Sequence, residues 1–396
     1  MSIDLSRARA ETPGCAHVTH FNNAGAALMP QPVLDAVMAH LELEARIGGY
    51  EAARQQDEAH EQVYDDIARL IGAQRDEIAL FENSTRAWDM AFYSIPFKAG
   101  DRILTSAAEY ASNFIAFLQL AKKAGVEITV VPNDEHGQIS LSALRAAMDE
   151  RVKLIALTHV PTNGGLVNPA EEVGAIAKEA GVLYLLDACQ SVGQLPIDVE
   201  AIGCDFLSAT GRKYLRGPRG TGFLYVSRRV LDRLEPAMLD LHAATWTHPD
   251  RYEIRQDARR FESWESSLAG RLGLGAAVRY ALDWGLENIE ERIVYLAERL
   301  RGALSALPGV TVHDQGLRRC GIVSFTVRGH EPLALRDALS AQGLNLSTSS
   351  MSSTRLDMEA RQLEAILRAS VHYYNTEAEI EALCGTLCAQ LTKVPR

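Results

Sequence analysis

Short apolar runs, separated by longer stretches with a helical repeat, organise the first two-thirds of the chain. The runs fall at residues 78–81, 102–105, 126–131, 154–160, 182–186, 205–208 and 222–226. Residues 51–72 read as helical, charged with an apolar stripe, and further helices are expected after Ser84, after Ala108, over 141–148 and over 169–180. The run Leu154-Ile155-Ala156-Leu157 is apolar at every position, as in a parallel sheet covered on both faces. Strand–helix alternation from 78 to 226 predicts a doubly wound, mostly parallel sheet with right-handed crossovers. Residues 235–254 show no period and read as irregular, a candidate lid. Helices near 267–284 and 287–306, strands at 310–313 and 322–327, a helix over 333–342 and a strand from 367 predict a smaller α+β C-terminal domain. The expected division is an N-terminal segment, 1–32, a large domain, 33–260, and linking helices with the small domain, 261–396.

Length suits this plan, because 396 residues exceed what one core serves well. Hydrophobic residues at 47% and charged residues at 23% are those of a globular protein. A net charge of −11 argues against nucleic acid or an anionic membrane as partner. No signal core and no bilayer-length apolar run is read, so the cytoplasm is the expected location. Six scattered cysteines do not suggest a disulfide framework. Cys384 and Cys388, at helical spacing without a His or carboxylate cluster, read as buried helix residues rather than metal ligands, and no metal is expected.

The stretch 205–222 carries the strongest chemistry. Lys213 lies in a glycine-rich loop between two apolar strands, where burial disfavours its charge. A partly neutral amine forms a Schiff base with an aldehyde, and pyridoxal 5'-phosphate (PLP) is the aldehyde this arrangement suits. Thr210 and Arg212 beside it suit a phosphate. The competing reading is a solvated cationic hairpin formed by Arg212, Lys213, Arg216 and Arg219. Asp187 ends the run 182–186, at the strand end where open α/β sheets bind ligands. A buried carboxylate there needs a cationic partner, unless it merely caps the next helix. Ser84 is a candidate N-cap, and a capped helix after a strand is also an anion site. Asn22, Ala24 and Gly25 form a loop that either turns or lies against a ligand. Arg368, on a strand, suits bidentate capture of a carboxylate, with Arg355 a weaker candidate and a surface ion pair the alternative.

The sequence Thr210-Gly211-Arg212-Lys213-Tyr214, followed by Gly217-Pro218-Arg219-Gly220-Thr221-Gly222, resembles the PLP-lysine signature of class V aminotransferases. That family includes cysteine desulfurases and related C–S lyases. The resemblance implies a fold type I PLP-dependent transferase, working as a homodimer, with residues 1–32 lining the active site. It implies that Lys213 carries the cofactor and that Asp187 and Gln190, an Asp-x-x-Gln motif, meet the ring nitrogen and ring oxygen. By the same likeness Ser84, Thr85, Thr210 and Arg212 hold the phosphate, and Tyr110, or Ala111 one residue on, stacks on the ring. Asn22, Ala24, Gly25, Thr162, Asn163, Arg368 and Arg355 would face the substrate. Three departures matter. Arg212 stands where desulfurases usually have His, which is similar to the ergothioneine-pathway sulfoxide lyases. Trp264-Glu265 replaces a Gly-Thr that reaches the partner's phosphate. Residues 345–355 lack the nucleophilic cysteine of sulfur-mobilising desulfurases. A C–S lyase giving pyruvate and ammonia is therefore expected, with transamination or epimerisation as alternatives and a non-catalytic binding protein as the rival class.

Overall fold

The computed structural model describes residues 3–391. A two-residue strand, β1 (Thr19–His20), comes first. Seven strands follow: β2 (Ile78–Phe81), β3 (Arg102–Ser106), β4 (Glu127–Val131), β5 (Val152–Thr158), β6 (Leu183–Asp187), β7 (Phe206–Thr210) and β8 (Gly222–Val226). They form one sheet in the order β2-β8-β7-β6-β5-β3-β4. Only β8 runs opposite to the other six strands. Successive side chains go to opposite faces, so each continuous apolar run serves two cores. Leu154, Leu185 and Phe206 join Trp88, Phe92 and Phe117 on one side. Ile155, Leu186 and Leu207 join Val173, Ile176 and Tyr184 on the other. This is the expected mixed α/β architecture of fold type I.

Residues 235–254 are irregular only as far as residue 243. They contain a hairpin of β9 (Ala244–His248) and β10 (Arg251–Ile254), with Thr245–His248 all exposed. Neither face is buried, so no apolar alternation could mark it in the sequence. The C-terminal part adds β11 (Val310–Val312), β12 (Ile322–Val327), β13 (Leu344–Asn345), β14 (Ser347–Ser350) and β15 (Ala365–Ser370). Four of these make an antiparallel sheet, β11-β12-β15-β14. β13 instead pairs with β1 in parallel, and Asn22 bridges to Ser370. The N-terminal segment is thereby stitched to the small sheet. The helix Glu377–Leu391 buries Ile380, Leu383 and Leu387, which leaves Cys388 exposed, not buried as expected, and Cys384 partly covered. Among the described residues no helix is long and apolar enough to cross a membrane, and no cluster of His, Cys, Asp and Glu could hold a metal.

Arg216 is no solvated cation. It is 1% exposed and adopts a φ of 63°, a left-handed conformation rare outside glycine. Its guanidinium donates to the Leu28 carbonyl at 2.8 Å, to Tyr373 Oη at 2.6 Å and to Thr12 Oγ1 at 2.6 Å. The Tyr374 ring lies 4.5 Å away. One side chain thus ties the lysine loop to both chain ends. Arg216→Met should cost about 2–4 kcal/mol, since it removes a buried charged donor from the Leu28 carbonyl and from the buried Thr12 and Tyr373 hydroxyls. An unchanged urea midpoint would refute this clamp.

Candidate active site

The parallel strands β5, β6 and β7 stop side by side, with Thr158 next to Asp187 and Asp187 next to Ser208. Their carboxyl ends floor one cavity, lined by Thr158, Asp187 and Thr210. The loop after β7 brings Arg212 and Lys213 to it, and the turn after β6 brings Cys189 and Gln190. Ser84 and Thr85, opening the helix Ser84–Ser94, form another wall with Tyr110 and Asn113. Thr162 and Val160, just beyond β5, complete it. Residues far apart in sequence meet because every loop leaves the same edge of one sheet.

Lys213 keeps some surface open to the cavity, yet its ammonium is enclosed by protein. Burial is the main force that lowers its pKa from the ordinary lysine value, with the positive charges of Arg212 and Arg368 adding to it. Asp187 opposes that shift. Asp187 Oδ1 accepts from the Cys189 N–H at 2.9 Å, and its Oδ2 from Asn113 Nδ2 at 3.0 Å. Cys189 donates to Ser84 Oγ at 2.6 Å, and burial pushes its thiol pKa up to about 12. Arg368 Nη1 donates to the Thr162 carbonyl at 2.9 Å and to Thr162 Oγ1 at 2.7 Å. Burial lowers its pKa to about 10.

Several expected residues stand elsewhere. The helix cap is Asn83, whose side chain accepts from the Arg86 N–H at 2.9 Å, so Ser84 is the first helical residue instead. Both residues are good caps, and backbone conformation chose between them. Tyr110 lines the cavity and Ala111 does not. Asn163 turns away, donating to Thr354 and accepting from Ser349. Arg355 sits at the surface on Glu359 at 2.6 Å, away from the cavity. Asn22, Ala24 and Gly25 form a layer behind the wall. The Ala24 carbonyl accepts from Gln190 Nε2 at 3.1 Å, and the Gly25 carbonyl accepts from Arg212. Trp264 is exposed, and with Glu265 and Tyr50 it lines a separate surface depression. Sequence reading missed Asn113, Thr158, Cys189 and the buried Glu109. A lone acid, Glu109, in the short link between a strand and a helix, with Asn113 four residues on, was the available signal.

The donor set fits PLP. Gln190 Oε1 and Arg368 Nε are buried without a partner, as groups reserved for a ligand would be. An enclosed lysine amine faces a strand-end carboxylate across a cavity whose far wall is a helix N-terminus. Such a site belongs to a PLP-dependent enzyme. Residues 19–383 match the family described as aminotransferase class-V. The chain belongs to the class-V aminotransferase family, and PLP is its cofactor.

Its relatives include a probable cysteine desulfurase of Methanothermobacter thermautotrophicus. The two are 33% identical over 343 residues, 85% of this chain and 84% of that one. Among solved structures, the apo cysteine desulfurase from Thermococcus onnurineus NA1 superposes with a TM-score of 0.93 at 27% identity. That match covers 100% of this chain and 99% of the other. The cystine C–S lyase C-DES, in complex with its reaction product cysteine persulfide, superposes with a TM-score of 0.85 at 25% identity. It covers 95% of this chain and 99% of its own.

Proposed function

We propose that this enzyme cleaves the carbon–sulfur bond of a cysteine-derived amino acid by β-elimination, releasing pyruvate, ammonia and the sulfur-bearing group. In this reading Lys213 carries the cofactor, Asp187 faces the ring nitrogen and Gln190 the ring oxygen. Ser84, Thr85, Thr210 and Arg212 gather at the phosphate, and Tyr110 covers a ring face. When bound, PLP supplies an electron sink that lets the substrate's α-proton leave. A lysine held below its ordinary pKa keeps more of its amine neutral near pH 7, and a neutral Nζ accepts that proton. Arg368, with Nε unpaired beside Thr162, takes the substrate carboxylate. The sulfur group then departs from the β-carbon with its bonding electrons. Water hydrolyses the remaining enamine to pyruvate and ammonia.

The observation that carries this choice is the absence of a reactive thiol at the described site. The segment where desulfurases hold their nucleophile, residues 345–355, contains no cysteine and includes β14, Ser-Thr-Ser-Ser, paired to the strand of Arg368. Cys189, on the cavity wall, is held protonated, and a thiol is a poor nucleophile. The relative C-DES is named a C–S lyase, whereas others are named probable cysteine desulfurases. Product analysis tests the choice. Cysteine conjugates, cystine and sulfoxides should yield pyruvate, with no mass increase on the protein after turnover. Stoichiometric alanine with a persulfide on any of the six cysteines would replace this reading by persulfide-forming desulfuration.

The homodimer belongs to the same proposal. Leu34, Met38, Leu41 and Ile47 leave 38–46% of their surfaces exposed along one helix, with Tyr50 and Trp264 also exposed. An apolar face of this kind suits a second copy. Light scattering should give twice the chain mass of 43.4 kDa.

A further inference from the structure

Glu109 is 3% exposed and plays no part in the reaction as described. It precedes the helix Ala111–Ala124 and points into the layer behind Asp187. Its Oε1 accepts from the Tyr110 N–H at 2.9 Å, from Asn113 Nδ2 at 2.8 Å and from the Thr158 hydroxyl. Its Oε2 accepts from Thr105 Oγ1 at 3.0 Å. All four donors are neutral. Asn113 Nδ2 also donates to Asp187 Oδ2 at 3.0 Å. An amide nitrogen has two hydrogens, and here each goes to a different buried carboxylate.

A structural hydrogen-bond hub needs no charge at Glu109. Glutamine could keep the bonds to one oxygen, with its amide nitrogen donating to Thr105 Oγ1 rather than accepting from it, without the cost of an enclosed carboxylate. What glutamate adds is a second negative charge, one amide away from Asp187. We propose that Glu109, acting through Asn113, is a positioning residue for Asp187 that sets how firmly the cofactor's ring nitrogen keeps its proton. This rests on the reading that Asp187 faces that nitrogen. An anionic Glu109 raises the proton affinity of everything near it, the ring nitrogen included. Burial first, with the charge of Asp187 contributing, lifts the pKa of Glu109 itself to about 7. Its charge is therefore present above neutrality and lost below it. The titratable groups facing Asp187 are Lys213 on the loop after β7 and the Cys189 thiol on the turn after β6, and Arg212 and Arg368 act in turn on Lys213.

The test is nitrogen NMR of the holoenzyme loaded with PLP labelled at the ring nitrogen, followed against pH. In Glu109→Gln the midpoint for loss of the ring proton should fall by about one pH unit, with kcat reduced and KM unchanged. Glu109→Asp, which keeps the charge but withdraws it, should fall between the two, and it serves if the glutamine variant does not fold. Asp187→Ala should move the signal further than either. An unmoved signal in Asp187→Ala would remove the reading of Asp187 itself. A large shift there, with the wild-type midpoint in both Glu109 variants, would overturn the role of Glu109 alone.

Discussion

Lys213→Ala should lose turnover by about 10³-fold or more, since a positioned general base alone contributes about 10²–10⁴-fold. The same change should abolish the absorbance of lysine-bound cofactor. Two effects fall on one atom. Nζ is the covalent anchor of PLP in the proposed reading, and it is also the base that removes the α-proton. Its enclosure matters to both, because burial keeps the amine partly neutral. Folding should survive, since the Lys213 side chain has no role in the Arg216 clamp or in either apolar core, and its carbonyl, which accepts from the Arg216 N–H, is kept. Borohydride reduction followed by peptide mapping checks the assignment. Label on any other lysine would end it.

Asp187→Ala should slow turnover by about 10²–10³-fold, the scale of removing one partner of a buried charge pair. Cofactor affinity should fall far less. The phosphate wall, with Ser84, Thr85, Thr210 and Arg212, is left intact. The split between rate and affinity is the informative quantity. Equal losses in both would make Asp187 a binding residue rather than the support of the electron sink, and wild-type turnover would dismiss it altogether.

The central sheet was legible because its inner strands are buried on both faces. Leu154, Leu185 and Phe206 face one core and their neighbours the other, so the runs stand out without any period. Lys213 and Asp187 were legible as charges set against those runs. What the sequence hid depends on direction or distance. Arg355 and Arg368 are alike as letters, but one ends at the surface on Glu359 and the other buried against Thr162. Asn163 and Thr162 are adjacent, and the loop's path sends only Thr162 to the cavity. Arg216 looked like one of several solvated cations, because its partners Thr12 and Tyr373 lie 204 and 157 residues away. The hairpin of β9 and β10 had no buried face to impose a pattern.

The stitching of the N-terminal segment to the small sheet has a consequence in time. Asn23 donates to the Ser370 carbonyl across 347 residues. At ribosomal speeds of about 5–20 residues per second, its partner emerges roughly 20–70 s later. Until then the Phe21 carbonyl, which accepts from the Ser370 N–H at 2.7 Å, also lacks its partner. The sheet ends bearing Asp187 and Lys213 are synthesised well inside that interval. A nascent chain therefore holds Asp187 and Lys213 before the bonds from residue 370 to Asn23 and Ala24 can form. A chain cut short before residue 370 would carry both residues and leave its first segment without that stitch.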